Sequence, residues 1–260
     1  MKNKIKLKFK KNGFVTFKNV LPLSQKKIIK EIIFFYFKDV CHPYIKNLNF
    51  DIEDIKIHKK IINYRKNYPK KFGEIYDKIN LDARLRSLFY TNQFFNYFAK
   101  ALGVKTNSFF INGFMMRFDV PFDQRNSLKW HQDSAYYEMS APKFNAGVCW
   151  LGVTENTINN GAQLYIPNSS NKYILTKGVK KNKYSSQKLE IQCSKLELAK
   201  QKHLLHKFGD MSLLHMNLKH RSGINKSEKV RITIGCRFHE ISKEFNTGKE
   251  IYKFNNAIKF

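Results

Sequence analysis

The sequence is poor in cysteine. Its 260 residues include four cysteines, which lie far apart and form no CxxC pair: Cys41, Cys149, Cys193 and Cys236. Disulfides accumulate in secreted proteins, whereas cytosolic chains keep their thiols reduced. We therefore expect a reduced, cytoplasmic protein.

Long hydrophobic runs are also missing. The longest is IIFFYF at residues 32–37, whereas a membrane-spanning helix needs about 20 apolar residues. The basic first residues, 1–11, are not followed by the apolar core of a signal peptide. Neither a membrane span nor export is expected.

Acidic residues are scarce. Asp and Glu number 20 against 48 Lys and Arg, which gives a formal net charge of +28 at pH 7. An anionic partner or substrate would explain this excess. A second explanation is compositional, because abundant Lys, Asn, Ile, Phe and Tyr are typical of AT-rich coding sequences. In both cases the electrostatic field favours anionic ligands.

Core-forming residues are plentiful. Hydrophobic residues make up 42% of the chain and aromatic residues 15%, which excludes a disordered chain. The length suits one domain over residues 1–260. Within it we expect N-terminal strands and helices at 1–105, a β core at 106–240 with an insertion at 171–203, and a C-terminal tail at 241–260.

The N-terminal part is predicted to be mainly helical. Residues 4–11 alternate lysine with apolar residues, which favours an edge strand, with a disordered basic arm as the alternative. A second short strand is predicted at 14–21. Apolar residues at helical spacing predict a helix over 23–40, and the pattern stays mostly helical over 51–102.

The pattern changes near Thr106. From there to Glu240, short runs rich in β-branched and aromatic residues alternate with Gly, Pro, Asn and Asp. Such runs predict a β-sandwich or barrel. The clearest predicted strands are FFINGFMMRF, KWHQDSAYY, AGVCWLGV, AQLYIP, GDMSLLHM and VRITIGCRF.

One of these predicted strands carries a candidate metal site. In WHQD, residues 130–133, His131 and Asp133 are two positions apart and would share one face of a strand. An imidazole and a carboxylate so placed can bind one divalent metal with a third ligand from elsewhere, as in the two-histidine, one-carboxylate sites of non-haem Fe(II) oxygenases. The triplet alone is weak evidence, since a single histidine is more often structural.

A later segment, residues 209–231, strengthens this hypothesis. It contains a Gly-Asp turn, a strand and the run HRSGINKSEKVR, which starts at His220. Together with WHQD and NNGAQLYIPNSSNK, which starts at Asn159, this order of motifs resembles the phytanoyl-CoA dioxygenase family of Fe(II)- and 2-oxoglutarate-dependent oxygenases. The resemblance covers residues 107–240.

The resemblance implies a role for each matching residue. The implied iron ligands are His131, Asp133 and His220. Arg231 would hold the distal carboxylate of 2-oxoglutarate, because a guanidinium offers a planar fork and keeps its charge. Ser222 would add a hydroxyl to that carboxylate, and Trp150 would pack near the co-substrate. Fe(II), 2-oxoglutarate and O2 are the implied cofactors.

The resemblance also implies the fold, a mainly β double-stranded β-helix, or cupin-like jelly roll, with flanking helices. Strand parity in VRITIGCRF gives an independent check, because alternate residues of a strand share a face. The polar face, which suits the barrel mouth, would carry Arg231, Thr233, Gly235 and Arg237. The apolar face, which suits packing under helices, would carry Ile232, Ile234, Cys236 and Phe238.

One motif departs from the family. The usual Pro-Gly-Ser-His turn is replaced by PNSS at residues 167–170. Asn168 tolerates the left-handed backbone that glycine would adopt, so the turn is expected to survive. The role of the usual histidine is absent.

Other polar residues lie near the motif. Arg117, Arg125, Tyr136 and Tyr137 flank it and are candidates for touching substrate, against core or solvent roles. His215 has the opposite strand parity from His220 and is not expected to share its site. The other histidines are expected to be surface or local structural residues: His42, His58, His203, His206 and His239.

The resemblance implies a dioxygenase that hydroxylates a small substrate, or one of acyl or sugar type, and releases succinate and CO2. Asp133 favours hydroxylation or another oxidation over halogenation, since related halogenases carry a small residue there. The positive field favours an anionic substrate.

Two alternatives stay open: a jelly-roll metal-binding protein without activity that holds a polyanion, and a demethylase of nucleic-acid bases. The lack of an evident base-stacking motif argues against a nucleic-acid partner, although the net charge alone does not exclude one.

Overall fold

The computed structural model describes most of the chain, namely residues 2–105, 109–123, 125–135, 145–174, 177–178 and 189–240. Its centre is a five-stranded antiparallel sheet. Helices cover one face of this sheet, and a smaller sheet lies against the other. The predicted tail at 241–260 lies outside the described residues, as do residues 175–176 and 179–188 of the predicted insertion at 171–203.

Helices dominate the N-terminal part, as expected. They are α1 (Lys2–Asn12), α2 (Leu23–Cys41), α3 (Ile55–Asn67), α4 (Pro69–Leu81), α5 (Ala83–Ser87) and α6 (Asn92–Leu102). α2 buries an apolar face that includes Ile29, Ile33 and Phe37, which is the spacing of one helical face. α6 begins where the Thr91 side chain accepts from a backbone N–H and ends at Gly103 in the left-handed conformation.

The prediction of an edge strand at 4–11 is wrong, because these residues form helix α1. In a strand, Ile5, Leu7 and Phe9 would share a face. In the helix, Ile5 and Phe9 are one turn apart and pack against the core, whereas Leu7 is exposed. The local alternation of lysine with apolar residues is therefore overridden by packing against α6 and the sheet.

The remaining elements are mostly strands. They are β1 (Phe14–Phe17), β2 (Phe109–Asp119), β3 (Ala146–Gly152), β4 (Leu164–Tyr165), β5 (Lys177–Gly178), β6 (Leu189–Glu190), the short helix α7 (Lys195–Leu198), β7 (Lys202–His203), β8 (Met211–His215), β9 (His220–Arg221) and β10 (Arg231–Glu240). The five-stranded sheet has the order β1-β8-β3-β10-β2, and a three-stranded sheet has the order β7-β4-β9. β1 belongs to the core sheet although it precedes the predicted boundary at residue 105.

Two hydrophobic cores flank the five-stranded sheet. The larger one lies between the sheet and the helices, and it takes Cys149 and Leu151 from β3. The smaller one takes the alternate residues Val148 and Trp150 from β3 and joins them to Tyr165 of β4. Because successive residues of a strand point to opposite faces, the second core fills the space between the two sheets.

β10 confirms the strand-parity prediction on its apolar face. Ile232, Ile234, Cys236 and Phe238 all belong to the core under the helices. The pairing with β2 shifts register between Gly235 and Arg237, which marks a β-bulge.

The predicted turn at 167–170 is present, because Asn168 adopts the left-handed conformation with φ of 60°. The prediction of a strand over KWHQDSAYY is wrong. His131 alone forms a β-bridge, Asp133–Ala135 form a 3₁₀ turn, and residues 136–144 lie outside the described residues. Among the described residues, no helix has the length and apolar character to cross a membrane.

Candidate metal centre

The site is built on a backbone pairing between two distant histidines. His131 N–H donates to the carbonyl of His220 at 3.0 Å, and His220 N–H donates to the carbonyl of His131 at 3.1 Å. This reciprocal pair places the two side chains on one face, with ring centroids 4.2 Å apart. A short bridge in the smaller sheet thus replaces the longer predicted strand.

Asp133 completes a cluster of three potential metal ligands. One ligand atom each from His131, Asp133 and His220 lies within 4.8 Å of the others, and all three residues are buried. The Asp133 carboxylate oxygen Oδ2 lies 3.2 Å from Nε2 of His220. Two imidazoles and one carboxylate are the donor set of non-haem Fe(II) sites.

Backbone carbonyls orient both imidazoles. Nδ1 of His131 lies 2.8 Å from the carbonyl oxygen of Lys129, and Nδ1 of His220 lies 2.8 Å from that of Leu218. A carbonyl oxygen can only accept, so each Nδ1 carries a hydrogen and Nε2 is the nitrogen left to bind a metal. This is the arrangement by which proteins fix the tautomer of metal-binding histidines.

The charge states also suit a metal. Burial lowers the pKa of His131 to about 3, and the neighbouring His220 adds to this effect against the opposing pull of Asp133. Burial alone would raise the pKa of Asp133, but the Arg237 guanidinium and the two imidazoles hold it well below its usual range. At neutral pH His131 is therefore neutral and Asp133 ionised, which are the forms that bind metal.

A cleft opens beside the three ligands. It encloses about 460 Å³ of empty space, its open mouth included, and its lining contains all three residues together with Arg117, Trp150, Ser222 and Arg237. Its wall is tight at one point, because a Cβ added to Gly235 would lie 2.5 Å from the Trp150 ring. Trp150 Nε1 is buried and has no hydrogen-bond partner in the described part of the chain.

The residues predicted for 2-oxoglutarate differ in their access to this cleft. The Ser222 hydroxyl lines it, accepts from Leu128 N–H at 3.0 Å and donates to the Asn126 carbonyl at 3.2 Å. Arg231 is 1% exposed and does not belong to the described lining. Its Nη2 and Nε lie 2.6 and 3.2 Å from Oδ2 of Asp119.

The other predicted positions differ in whether they reach the cleft. Arg117 lines it, whereas Arg125 lies over the Tyr76 ring. Tyr136 and Tyr137 lie outside the described residues. His215 is not part of the metal-ligand cluster found in the described residues, and its ring lies 5.9 Å from that of Phe9. The remaining histidines are not all on the surface, since His58, His206 and His239 are buried.

Sequence reasoning missed Asp119 and the contact between Arg237 and Asp133. Asp119 lies two residues after Arg117 in β2, so strand parity places both on one face. Strand parity could therefore have predicted that Asp119 lies beside Arg117. The Arg237 contact depends on the turn that carries Asp133, for which the local sequence holds no clear signal.

A family model described as phytanoyl-CoA dioxygenase (PhyH) matches residues 35–233. The chain belongs to the phytanoyl-CoA dioxygenase family. No curated protein shows significant sequence similarity to it.

Solved structures of similar fold agree with this membership. EctD from S. alaskensis, solved with 2-oxoglutarate and 5-hydroxyectoine, is 14% identical over 92% of this chain and 76% of its own, with a TM-score of 0.58. EvdO2 from Micromonospora carbonacea var. aurantiaca, complexed with 2-oxoglutarate, is 14% identical over 93% and 91%, with a TM-score of 0.61. The epimerase SnoN, in complex with Fe3+, alpha ketoglutarate and nogalamycin RO, is 11% identical over 96% and 88%, with a TM-score of 0.60.

The predicted family, the jelly-roll fold and the enzyme class are thereby confirmed. This PhyH-family chain is an Fe(II)- and 2-oxoglutarate-dependent oxygenase, a class whose cofactors are Fe(II), 2-oxoglutarate and O2. The family does not decide the substrate.

Proposed function

We propose that this oxygenase hydroxylates an unactivated C–H bond of a small molecule, with release of succinate and CO2, and that it binds iron through His131, Asp133 and His220. The observation that carries the proposal is the meeting of these three buried side chains within 4.8 Å at the wall of a cleft. Fe(II) with 2-oxoglutarate would supply the oxygen activation that such a C–H bond requires.

The surrounding residues prepare the three ligands. The Nδ1 hydrogen bonds to Lys129 and Leu218 direct the Nε2 lone pairs of both histidines away from the backbone. Arg237 donates to Oδ1 of Asp133 at 2.7 Å and keeps the carboxylate ionised. Because the metal ligands are already oriented, little reorganisation is needed when iron binds.

For the co-substrate, we assign the end of the cleft near Ser222, Trp150 and Arg231. The Trp150 indole N–H and Nη1 of Arg231 are buried donors without partners in the described residues. Buried donors that lack acceptors are costly unless a ligand satisfies them. A carboxylate of 2-oxoglutarate offers the acceptors that this end of the cleft requires.

The proposed substrate is a small, anionic molecule. Relatives of the fold were solved with small organic compounds, 5-hydroxyectoine in EctD and nogalamycin RO in SnoN. The net charge of +28 would raise the local concentration of anions near the cleft. Hydroxylation is favoured because the third ligand position holds Asp133, although the epimerase SnoN illustrates another outcome on this fold.

Succinate formation from 2-oxoglutarate tests the proposal. Purified protein with Fe(II) and O2 should release succinate, and a metabolite library should contain a compound that increases this release and gains one oxygen atom. Asp133→Asn should abolish turnover and weaken Fe(II) binding more than 100-fold, because it removes the anionic ligand. Asp123→Asn, which alters a carboxylate paired with Arg65, serves as the matched control.

Two results would contradict the proposal. One is wild-type protein that binds no Fe(II), and the other is iron-loaded protein that makes no succinate with any compound. A parallel arm with single-stranded DNA and RNA separates base demethylation from small-molecule oxidation. If substrate affinity were independent of salt, the anionic assignment would be wrong.

A further inference from the structure

Two buried arginines share one carboxylate at the Ser222 end of the cleft. Arg117 Nη2 lies 3.0 Å from Oδ1 of Asp119, and Arg231 Nη2 lies 2.6 Å from Oδ2. Each oxygen of Asp119 therefore receives one guanidinium. Arg117 is 3% exposed and Arg231 1% exposed, so this is an interior cluster.

The cluster carries an excess positive charge. Burial would raise the pKa of Asp119, but Arg117 and Arg231 lower it below its usual value, so the carboxylate is ionised. Two guanidinium charges then face one carboxylate. A buried charge without a counter-charge is strongly unfavourable, so a bound anion at this place would be stabilised.

Arg117 is the member of the pair that a ligand in the cleft would meet first. It lines the cleft together with Ser222 and Trp150, whereas Arg231 does not belong to the described lining. The Arg117 guanidinium lies 5.3 Å from the centre of the Trp150 ring, and its Nη2 lies 3.4 Å from the Ser222 hydroxyl. Its Nε is buried and lacks an acceptor within the described residues.

We propose that Arg117 is a second guanidinium that binds the distal carboxylate of 2-oxoglutarate, alongside Arg231, and that Asp119 orients both arginines. This inference rests on the proposed function, because it assumes that 2-oxoglutarate occupies this end of the cleft. Arg117 then determines specificity for the co-substrate: it favours 2-oxo acids with a second carboxylate over monocarboxylic 2-oxo acids.

Direct binding measurements test this role without relying on turnover. We would measure Kd by calorimetry for 2-oxoglutarate and for 2-oxopentanoate, which has the same five-carbon chain but no distal carboxylate. Mn(II) replaces Fe(II) so that no reaction occurs. The proteins are wild type, Arg117→Met, Arg117→Lys, Arg231→Met and a control, Arg84→Met. Arg84 lies on α5 and pairs with Asp82, the residue before that helix.

Arg117→Met should raise the Kd for 2-oxoglutarate roughly 10- to 100-fold, as expected for losing hydrogen bonds to a charged group. Its Kd for 2-oxopentanoate should change less than about threefold, because that ligand lacks the group that Arg117 binds. Arg117→Lys should give an intermediate loss, since lysine keeps the charge but not the planar fork. Arg84→Met should behave as wild type.

Unchanged 2-oxoglutarate affinity in Arg117→Met, or an equal loss for both ligands, would overturn the inference. If Arg117→Met does not fold, unchanged 2-oxoglutarate affinity in Arg117→Lys would overturn it as well. Wild-type protein that fails to bind 2-oxoglutarate would refute the proposed function itself. Loss of binding in Arg231→Met but not in the Arg117 variants would refute only the role of Arg117.

Discussion

Arg237 donates a hydrogen bond from Nε to Oδ1 of Asp133 at 2.7 Å, while Nε2 of His220 lies 3.2 Å from the other oxygen of that carboxylate. The carboxylate is thus held by a donor on β10, and it faces a potential metal ligand on β9. The same strand, β10, begins at Arg231 beside Asp119. One strand therefore serves both the proposed metal end and the proposed co-substrate end of the cleft.

Replacement of Arg237 should weaken metal binding. In Arg237→Met we expect the Kd for Fe(II) to rise about 10- to 100-fold, because groups that hydrogen-bond metal ligands orient them. Anaerobic titration with Fe(II) measures the effect, and Arg84→Met is the control. Equal or tighter Fe(II) binding in Arg237→Met would show that its positive charge opposes the metal more than its hydrogen bond orients Asp133.

Removal of the charge on Asp119 should destabilise the fold. Asp119→Asn leaves Arg117 and Arg231 buried without their counter-ion, and breaking a buried ion pair costs about 3–5 kcal/mol. Urea unfolding monitored by circular dichroism measures this loss. The exposed Asp77, whose oxygen lies 4.0 Å from Arg125, provides the control Asp77→Asn, which should change stability by less than about 0.5 kcal/mol.

The buried His206 should make the fold sensitive to acid. Burial lowers its pKa from 6.5 to about 4, with Asp210 acting in the opposite direction. Below pH 6.5 the unfolded chain gains a proton that the folded protein does not take up until near pH 4. His206 therefore leaves the free energy of unfolding unchanged above pH 6.5. Between pH 6.5 and about 4 it lowers that free energy by roughly 2–3 kcal/mol.

Urea unfolding at pH 7.5 and 4.5 checks this contribution. His206→Gln, which can still hydrogen-bond Ser212, should reduce the difference in unfolding free energy between the two pH values by roughly 2 kcal/mol. His203→Gln, a change at a half-buried histidine, should leave the difference close to wild type. If the unfolding free energies of His206→Gln and His203→Gln depended equally on pH, His206 would not be the source of the acid sensitivity.

The wall formed by Gly235 and Trp150 should not tolerate an added methyl group. Gly235→Ala places a Cβ 2.5 Å from the indole, so the ring or the strand must move, at a cost of about 1–3 kcal/mol. Tryptophan fluorescence and urea unfolding measure both effects. In α4, Gly73→Ala meets only the flexible end of Arg125 and should instead stabilise by roughly 0.5–1 kcal/mol. An unshifted emission spectrum in Gly235→Ala would contradict the close contact.

Sequence reasoning predicted the helix over 23–40, the strands that became β3, β8 and β10, and the apolar face of β10. These follow from periodicity, which reports directly which side chains are buried. It failed at residues 4–11 and at KWHQDSAYY, where the observed structure depends on contacts with distant segments. Asp133 reaches its neighbours from a 3₁₀ turn, although the strand-based argument named the same residue.

The sequence by itself determined the family and the jelly-roll fold, and it named His131, Asp133 and His220 as candidate ligands, because motifs and strand periodicity can be read directly from the chain. Only the tertiary structure decided which of them meet. The backbone bridge between His131 and His220, and the pairing of Asp119 with Arg231, join segments far apart along the chain. Such long-range pairings arise from sheet register and burial, which strand parity within one segment does not fix.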